Sequence, residues 1–528
     1  MKFQRALAAI VSILTLACFL RLWGSDYGIP HSVARPDEET VVQNALQMFA
    51  DRDPNPRFFE YPTLSMYATA LGFETAYRVG KLDHRYDEPF DFLFDNAVLR
   101  PGLAYRIARA VSLVFALGTV AATGWLGWEV SRRENVALIS ALLLSANFLH
   151  VAFSRFATVD VAMTFFITLA LAFSVRAAKY QKWRDYLASG LAIGLAASAK
   201  YNAALVALGL LAAAVYGFRE HRRKGALQLL SAALASIAAF AATSPYALLH
   251  PDEVRAGLEK HSYFFTHGPD PLGLSVHLGR TFPAGLGWPL YLASLIALGW
   301  VVLRRRREDV VLLLFLLPFF ATIAGVRVVY PRYVLPMIPI LVVLAADLGA
   351  TLLRRWLLVS GVAVLVLPGI LSSFRFDRLA SRADTRLLAS DWVNANVRRR
   401  SAIVVCHGYG APEINSDRRR PPAFRPLRSA CRPEDWTEEF PPFVITHEHP
   451  ALTKYSSLDR ESRAWLEARA TKTVRFDPFV PGNSEEPLFY YSDAFYLPLA
   501  GFGAVERGGP IVTIWELSSH RYADEGNP

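Results

Sequence analysis

Acidic residues next to long apolar runs are the first candidates for chemistry in this sequence. Asp37 and Glu38 lie in the segment Arg-Pro-Asp-Glu-Glu at residues 35–39, just after the first apolar run, and Asp160 begins a later run. A carboxylate at such a place can act as general base on a hydroxyl. Proline followed by acids is also an ordinary helix start, because acids suit the positive end of a helix. The pattern alone leaves both interpretations open.

Cations occupy comparable positions at the ends of the apolar runs: Arg109, Arg155, Lys200 and Arg332. Arg and Lys stabilise the charge that develops on a phosphate leaving group. Lys200 has an alternative role, since a lysine at a membrane boundary can extend to the headgroups. Arg155 has two candidate partners, Asp160 and a phosphate. These cations together with the acids fit the transfer of a group from a lipid phosphate to an acceptor hydroxyl.

Further substrate-binding candidates stand beside these charges in the same motifs. Glu60 and Tyr61 belong to a Glu-Tyr-Pro segment, Tyr201 follows Lys200, and Tyr333 follows Arg332. The Glu-Tyr-Pro segment is equally typical of a turn before a helix at the membrane surface. Prolines near Tyr333 free backbone groups inside a membrane helix and often mark sites.

The elements that must position these residues are membrane helices. The chain has 528 residues, of which 53% are hydrophobic and 19% charged, against about 25% charged in a soluble domain. Apolar runs of about 20 residues span a bilayer. The sequence predicts eleven spans, at residues 6–24, 104–129, 134–151, 159–177, 185–200, 202–218, 226–248, 284–303, 309–325, 333–352 and 355–373.

The distribution of Lys and Arg predicts the orientation of these spans. Eighteen of these residues fall on six alternate segments, whereas the short opposite connections hold Arg155, Lys200, Arg327 and Arg332. Positive charge marks the cytoplasmic side, so the N-terminus is predicted to be cytoplasmic. Loops 25–103 and 249–283 and the C-terminal domain are then extracytoplasmic, with the plasma membrane of a bacterium as the expected location. The net charge of +10 resides mainly in these clusters, which argues against a nucleic-acid partner.

The sequence predicts two domains, a transmembrane domain at 1–373 and a soluble domain at 374–528. The second contains strand-like runs, AIVVC, FVITHE and IVTIWEL, and the helical pattern DTRLLASDWVNANV. It therefore resembles a small α/β domain. Cys406 and Cys431 both lie in it, and in an oxidising compartment they are candidates for a disulfide; the sequence leaves open whether they are bridged.

The ordered set of motifs resembles the C-type membrane glycosyltransferases of family 39, which include protein O-mannosyltransferases and the aminoarabinose transferases of lipid A. The resemblance lies in the Asp37-Glu38 pair, the Glu-Tyr-Pro segment, SRFATVD ending at Asp160, GLAIGLAASAKYN, PYALLHPD and RYVLPMIP. It covers the membrane part in family order, and matches the tail loosely through DTRLLASDWVNANV. The family often has thirteen spans, two more than predicted here.

This resemblance implies an inverting transfer from a polyprenyl-phosphate sugar. Asp37 would be the catalytic base, and Glu38 or Asp160 would help to orient the acceptor. Lys200, Arg109 and Arg332 would bind the donor phosphate. Some relatives carry a metal. The sequence shows no clear metal cluster, although His250, Asp252, His261 and His267 share one loop, so a divalent ion stays open.

Two matters stay open at this stage. A transporter or flippase for a lipid-linked or small polar substrate is the main alternative, but it would place polar residues near the membrane midplane. Most polar residues of interest are predicted at the outer edge, which favours an enzyme; Asp347 in the tenth span is the exception, and it is predicted close to the cytoplasmic end. The sugar is not readable from the sequence. The acceptor is equally open among a lipid, a glycan and a protein hydroxyl.

Overall fold

The computed structural model describes residues 2–31, 35–100, 102–268, 271–414, 425–429, 431, 442–490 and 492–517. The chain divides into two compact units. The first comprises Met1–Ser25, Thr40–Phe90 and Tyr105–Arg375, and the second comprises Asp26–Glu39, Asp91–Ala104 and Phe376–Pro528. The division near residue 375 lies beside the predicted boundary at 373. Two segments of the predicted loop 25–103 group with the C-terminal part of the chain.

Apart from short connections, the chain up to residue 380 is helical. In order, the helices are α1 Lys2–Leu22, α2 Glu38–Asp51, α3 Leu64–Leu82, α4 Pro89–Leu93, α5 Gly102–Ser131, α6 Glu134–Ser145, α7 Phe148–Ser154, α8 Val159–Tyr180, α9 Trp183–Ala199, α10 Ala207–Glu220, α11 Arg222–Thr243, α12 Pro245–Leu249, α13 Pro251–Thr266, α14 Gly273–Val276, α15 Phe282–Leu286, α16 Trp288–Arg304, α17 Arg307–Ala324, α18 Ile338–Leu352 and α19 Arg355–Ala380. Turns of 3-10 helix precede α10, at Tyr201–Val206, and α18, at Pro331–Met337.

Within the described residues, seven helices are long and apolar enough to cross a membrane, or up to nine if each of two bent helix pairs counts as one span. The eleven predicted spans all overlap helices or bent pairs. Two of the predicted spans correspond to helices that are not long and apolar enough to be counted. These are α9, which has 17 residues, and α17, whose first turn carries Arg307, Glu308 and Asp309. The polytopic helical architecture is confirmed, and the number of spans stays a prediction.

Helices α9 and α11 pack closely because glycines face the neighbouring backbone. A Cβ atom built on Gly190 would lie 2.2 Å from the carbonyl oxygen of Ala232, and one on Gly194 would lie 2.2 Å from that of Ser236. The spacing of these two glycines is the one that allows helices to approach in membranes. This packing fixes the end of α9, and Lys200 follows there.

The second unit contains a five-stranded sheet. Its strands are β1 Ala402–Cys406, β2 Arg425–Ser429, β3 Phe443–Glu448, β4 Ala470–Phe476 and β5 Ile511–Leu517, with helices α20 Thr385–Asn396 and α21 Arg460–Arg469. The strand order is β2-β1-β3-β5-β4. β1 pairs in parallel with β2 and β3, whereas β5 pairs antiparallel with β3 and β4. The predicted α/β domain is confirmed, with three of its strands and α20 at the predicted places.

Alternating side chains give this sheet two buried faces. Ile403 and Val405 pack with Ala389 and Val393 of α20. Val404 and Cys406 point to the other face, where Leu466 of α21 packs. Cys406 and Cys431 are joined as a disulfide, with their Cα atoms 5.2 Å apart.

Candidate functional site

Asp160, at the start of α8, binds two cations that the sequence places far from it. The Lys200 ammonium lies 2.8 Å from Oδ1 of Asp160, and Nε of Arg332 lies 3.3 Å from Oδ2. Asp160 is 1% exposed. We call Asp160, Lys200 and Arg332 the cation cluster. Since one carboxylate meets two cations, the three side chains together carry one surplus positive charge, which suits an anionic ligand.

Interruptions of regular α-helix position the side chains of Lys200 and Arg332. Lys200 ends α9 in an extended conformation, and a 3-10 turn follows it directly. Arg332 lies in the 3-10 turn Pro331–Met337, which begins with a proline, a residue that cannot donate a helical hydrogen bond. Both cations therefore sit where a regular α-helix stops or starts.

Tyrosine rings support the two cations. The Lys200 ammonium lies 4.8 Å from the centre of the Tyr333 ring, and the Arg332 guanidinium lies 4.1 Å from that of Tyr330. Such contacts attract a cation to the face of the ring. Tyr333 was predicted to be a substrate-binding residue, and the structure brings it to the cation cluster.

The Glu-Tyr-Pro segment contacts residues of the second predicted loop. Glu60 forms an ion pair of 2.5 Å with Lys260 of α13, and the Tyr201 hydroxyl donates to the carbonyl of Phe59 over 3.2 Å. The ring of Phe59 lies 5.3 Å from that of His250. The structure thus gives Glu60 and Tyr201 defined partners within the first unit. Tyr61 packs beside Phe58, with ring centres 5.8 Å apart.

Arg109 and Arg155 bind backbone carbonyls at the end of α1. Arg109 donates to the carbonyl of Ser25 over 2.6 Å. Arg155 donates to those of Trp23 and Leu20, over 2.7 and 3.2 Å. The last carbonyls of a helix have no partner inside the helix, so Arg155 caps α1, whereas Arg109 binds the turn that follows it. Their predicted role at a phosphate stays a prediction.

A buried arginine in the first span escaped sequence analysis. Arg21 is 1% exposed and donates to the carbonyls of Ala17 and Ser145 over 2.9 and 3.0 Å. It also lies 2.8 Å from Nδ1 of His150. An ionisable residue inside a membrane segment is a signal in itself, and the position of Arg21 within the first predicted span carried that signal. It joins α1 to the bend between α6 and α7.

The acidic segment at residues 35–39 lies in the second unit. Asp37 has a φ of +71°, a left-handed conformation that is uncommon outside glycine. Glu38 begins α2 and is buried, and Glu39 is partly buried. Within the described part of the chain, Oε2 of Glu39 has no hydrogen-bond partner. Burial, and then the neighbouring carboxylates of Asp37 and Glu38, raise the pKa of Glu39 to about 7.

The pKa of Tyr409 is affected by the same acids. Its pKa is raised to about 12, first by burial and then by the negative charges of Glu39, Asp37 and Asp493. Neither Tyr409 nor Asp493 was predicted to be near the acidic segment, because nothing in the sequence links residues so far apart. The acidic segment therefore borders on side chains from the C-terminal part of the second unit.

The histidine-rich loop does not assemble a metal site in the described residues. Among them, no three His, Cys, Asp or Glu side chains come together in a way that could hold a metal ion. Nδ1 of His250 lies 3.2 Å from Glu253, and His267 stacks on Tyr263. The side chain of His261 lies outside the described residues. The described residues of this loop therefore do not assemble a site for a divalent ion.

The chain is similar to one protein-family model and to several solved structures. Residues 85–244 match the family model of dolichyl-phosphate-mannose-protein mannosyltransferases. No curated protein matches the sequence. Among solved structures, ArnT from Cupriavidus metallidurans in the apo state is similar over 97% of this chain and 98% of its own, at 15% identity and a TM-score of 0.54.

Two structures of an archaeal enzyme are also similar. The Archaeoglobus fulgidus oligosaccharyltransferase in the apo form matches 84% of this chain and 69% of its own, at 11% identity and a TM-score of 0.52. The same organism's AglB, in complex with an inhibitory peptide and a dolichol-phosphate, matches 81% of this chain and 65% of its own, at 12% identity and a TM-score of 0.51. At these identities the likeness concerns the fold. The chain therefore has the fold of the C-type membrane glycosyltransferases, and the resemblance predicted from its motifs is confirmed.

Proposed function

We propose that this protein is an inverting glycosyltransferase that moves a sugar from a polyprenyl-phosphate donor to a hydroxyl of an extracytoplasmic lipid, glycan or protein. The observation that carries the proposal is the cation cluster, in which Lys200 and Arg332 share the single carboxylate of Asp160. A phosphate monoester is the leaving group in such a transfer. The surplus positive charge of the cluster suits that group.

The donor's phosphate is assigned to Lys200 and Arg332. As the bond between the anomeric carbon and the phosphate oxygen breaks, negative charge grows on that oxygen, and fixed cations lower the free energy of this transition state. Asp160 keeps the two cations apart and in place. The AglB structure contains a dolichol-phosphate, which supports a lipid phosphate as the ligand class for this fold.

Asp37 is assigned as the general base. The acceptor oxygen attacks the anomeric carbon from the side opposite the phosphate, so its configuration inverts, and the hydroxyl proton passes to the Asp37 carboxylate. The chain holds the Asp37 backbone in a left-handed conformation, and retained strain of this kind clusters at functional positions. Glu38 is buried at the start of α2 and is assigned to support this turn.

An oxidising, extracytoplasmic location is proposed for the second unit. The disulfide between Cys406 and Cys431 supports it, because disulfides persist outside the reducing cytoplasm. The distribution of Lys and Arg along the chain supports a cytoplasmic N-terminus. Mass mapping without reductant tests this: finding both cysteines as free thiols in protein purified from membranes would contradict the location.

Asp347, in the tenth predicted span, is the residue that bears on the alternative of a transporter. Asp347 lies 2.9 Å from Arg304 and 2.6 Å from Arg306, and Arg304 also binds Asp309. These partners compensate the charge at the ends of α16, α17 and α18. These ion pairs join the ends of the three helices, and they give no specific support to a transport function.

A transfer assay tests the proposed function. Purified protein in lipid vesicles receives radiolabelled polyprenyl-phosphate sugars and a membrane-lipid extract, and wild type is compared with Asp37→Asn. Label should move with wild type and not with the variant. Folded wild type that binds polyprenyl phosphate but moves label from none of the donors would contradict the enzyme and favour a transporter.

A further inference from the structure

One buried ion pair links the acidic segment to the far end of the chain. Nη1 of Arg35 lies 2.6 Å from Oδ2 of Asp493, and the two side chains are 0% and 2% exposed. They are 458 residues apart in sequence. The guanidinium of Arg35 also lies 4.8 Å from the centre of the Phe495 ring. Two oppositely charged groups buried together in this way depend strongly on each other, since removing one partner of a buried ion pair is strongly destabilising.

The residues before Arg35 are held by the same part of the second unit. Tyr27 packs edge-on against Phe495, with ring centres 5.7 Å apart. A Cβ atom on Gly508 would come within 2.5 Å of the Tyr27 ring, so only glycine fits beneath this tyrosine. Nε2 of His31 lies 2.7 Å from the carbonyl oxygen of Ala411. Arg35 is the last of these anchors before the acids.

Asp37 follows this anchor after one proline. Its φ of +71° is a conformation that persists in a non-glycine residue only where the surrounding structure enforces it. On one side the Arg35–Asp493 pair fixes the chain. On the other side α2 begins at Glu38, whose backbone N–H donates to the carbonyl of Arg35 over 3.3 Å. The strained residue thus lies between two fixed points.

We propose that Arg35 and Asp493 are positioning residues, which hold the Asp37 carboxylate in its reactive orientation. The inference rests on the proposed role of Asp37 as general base. It gives the C-terminal domain a part in catalysis, because Asp493 belongs to that domain and touches the segment that carries the base. Loss of the pair would let the backbone at Asp37 relax toward ordinary φ values and turn the carboxylate.

The competing explanation is that the pair stabilises the second unit and nothing more. The two explanations differ in what they predict for kinetics. A misplaced base slows the chemical step, and small displacements cost roughly 10²-fold in rate. The assigned donor ligands Lys200 and Arg332 are unaltered, so the KM for the donor should stay unchanged. Simple destabilisation would reduce the amount of active enzyme and the unfolding temperature together, without a specific change in kcat per folded molecule.

The experiment compares Arg35→Gln, Arg35→Lys and Asp493→Asn with a matched control, Arg463→Gln. Arg463 pairs with Glu448 in the same unit. The readouts are kcat per folded molecule, KM for the polyprenyl-phosphate sugar, unfolding temperature, and hydrogen exchange of residues 35–39 by mass spectrometry. Arg35→Gln and Asp493→Asn should lower kcat by about 10–100-fold with KM unchanged. Exchange in residues 35–39 should accelerate, Arg35→Lys should recover part of the rate, and the control should do neither.

Two outcomes overturn the proposal. One is a kcat that stays at the wild-type value in Arg35→Gln and Asp493→Asn while exchange in residues 35–39 accelerates. The other is an equal loss in the control. If Arg35→Gln does not fold, Asp493→Asn and Arg35→Lys give the same comparison. Asp37→Asn is measured alongside: if it retains transfer, the proposed function has failed, whereas an inactive Asp37→Asn with fully active pair variants defeats the positioning role alone.

Discussion

The acids at the start of α8 and those at residues 35–39 have opposite electrostatic surroundings. Asp160 meets two cations, Lys200 and Arg332, within 3.3 Å. At residues 35–39, three consecutive acids follow one arginine, and that arginine is paired with Asp493. The first group therefore joins two cations to one acid. The second has three acids among five consecutive residues.

The difference shows that partners, more than residue type, decide what a carboxylate can do. A carboxylate between two cations has both of its oxygens engaged. Burial, and then the neighbouring acids Asp37 and Glu38, raise the pKa of Glu39 to about 7. The first group is suited to hold an anion. The second is suited to exchange a proton near neutral pH.

The largest expected effect is on kcat, and it distinguishes Asp37 from Asp160. Asp37→Asn should lower kcat by about 10³-fold, because a positioned general base contributes roughly 10²–10⁴-fold. Asp160→Asn leaves two cations facing each other, so it should lower stability by about 3 kcal/mol and reduce kcat much less. Single-turnover rates and thermal unfolding of both variants test this. A loss in Asp160→Asn as large as in Asp37→Asn, with unchanged unfolding, would assign the chemistry to Asp160.

A smaller effect is expected in donor binding. Lys200→Ala removes one charged hydrogen bond to the phosphate, which is worth about 1.5–3 kcal/mol, or roughly 10–100-fold in affinity. Lys260→Ala is the matched control, because Lys260 pairs with Glu60 on an exposed surface, where ion pairs contribute little. Affinities for polyprenyl phosphate by calorimetry provide the measurement. Equal losses in both variants would remove the cation cluster from the donor site.

The pH dependence of transfer should show a change of a few-fold near neutrality. Glu39 loses its proton as the pH rises through about 7. The added negative charge beside Asp37 makes that carboxylate a better proton acceptor, so kcat should be higher above pH 7 than below it. Glu39→Gln should remove this inflection and keep kcat near its low-pH value. An identical profile in wild type and Glu39→Gln would show that Glu39 does not influence the base.

The fold was largely predictable because its signals are local. Long apolar runs correspond to helices throughout the first unit, and short runs rich in β-branched and aromatic residues correspond to β1, β3 and β5. β2 and β4 were missed, since β2 carries Arg425, Pro426 and Arg428 and β4 has a mostly exposed face. The bends at α6–α7 and α15–α16 also lie inside single predicted spans.

The candidate site was predictable in its residue types but not in its pairings. Lys200 and Asp160 were both candidates, yet they are 40 residues apart in sequence, and no periodicity indicates that they meet. The pairing of Arg35 with Asp493 could not be predicted for the same reason, since 458 residues separate them in sequence. Arg155 illustrates a further ambiguity, since a cation near a predicted membrane boundary is as well suited to helix carbonyls as to a phosphate, and its predicted role at a phosphate stays a prediction.

The smallest expected effect on transfer concerns Arg155 and completes the comparison of cations. Arg155→Gln leaves the carbonyls of Leu20 and Trp23 without the donors they have now, and a buried unsatisfied group costs about 1–3 kcal/mol. The unfolding temperature should therefore fall while the KM for the donor stays unchanged. Arg332→Gln, measured alongside, should raise that KM. If Arg155→Gln instead raises the KM with unfolding unaltered, Arg155 binds the phosphate, and capping of α1 is not its main role.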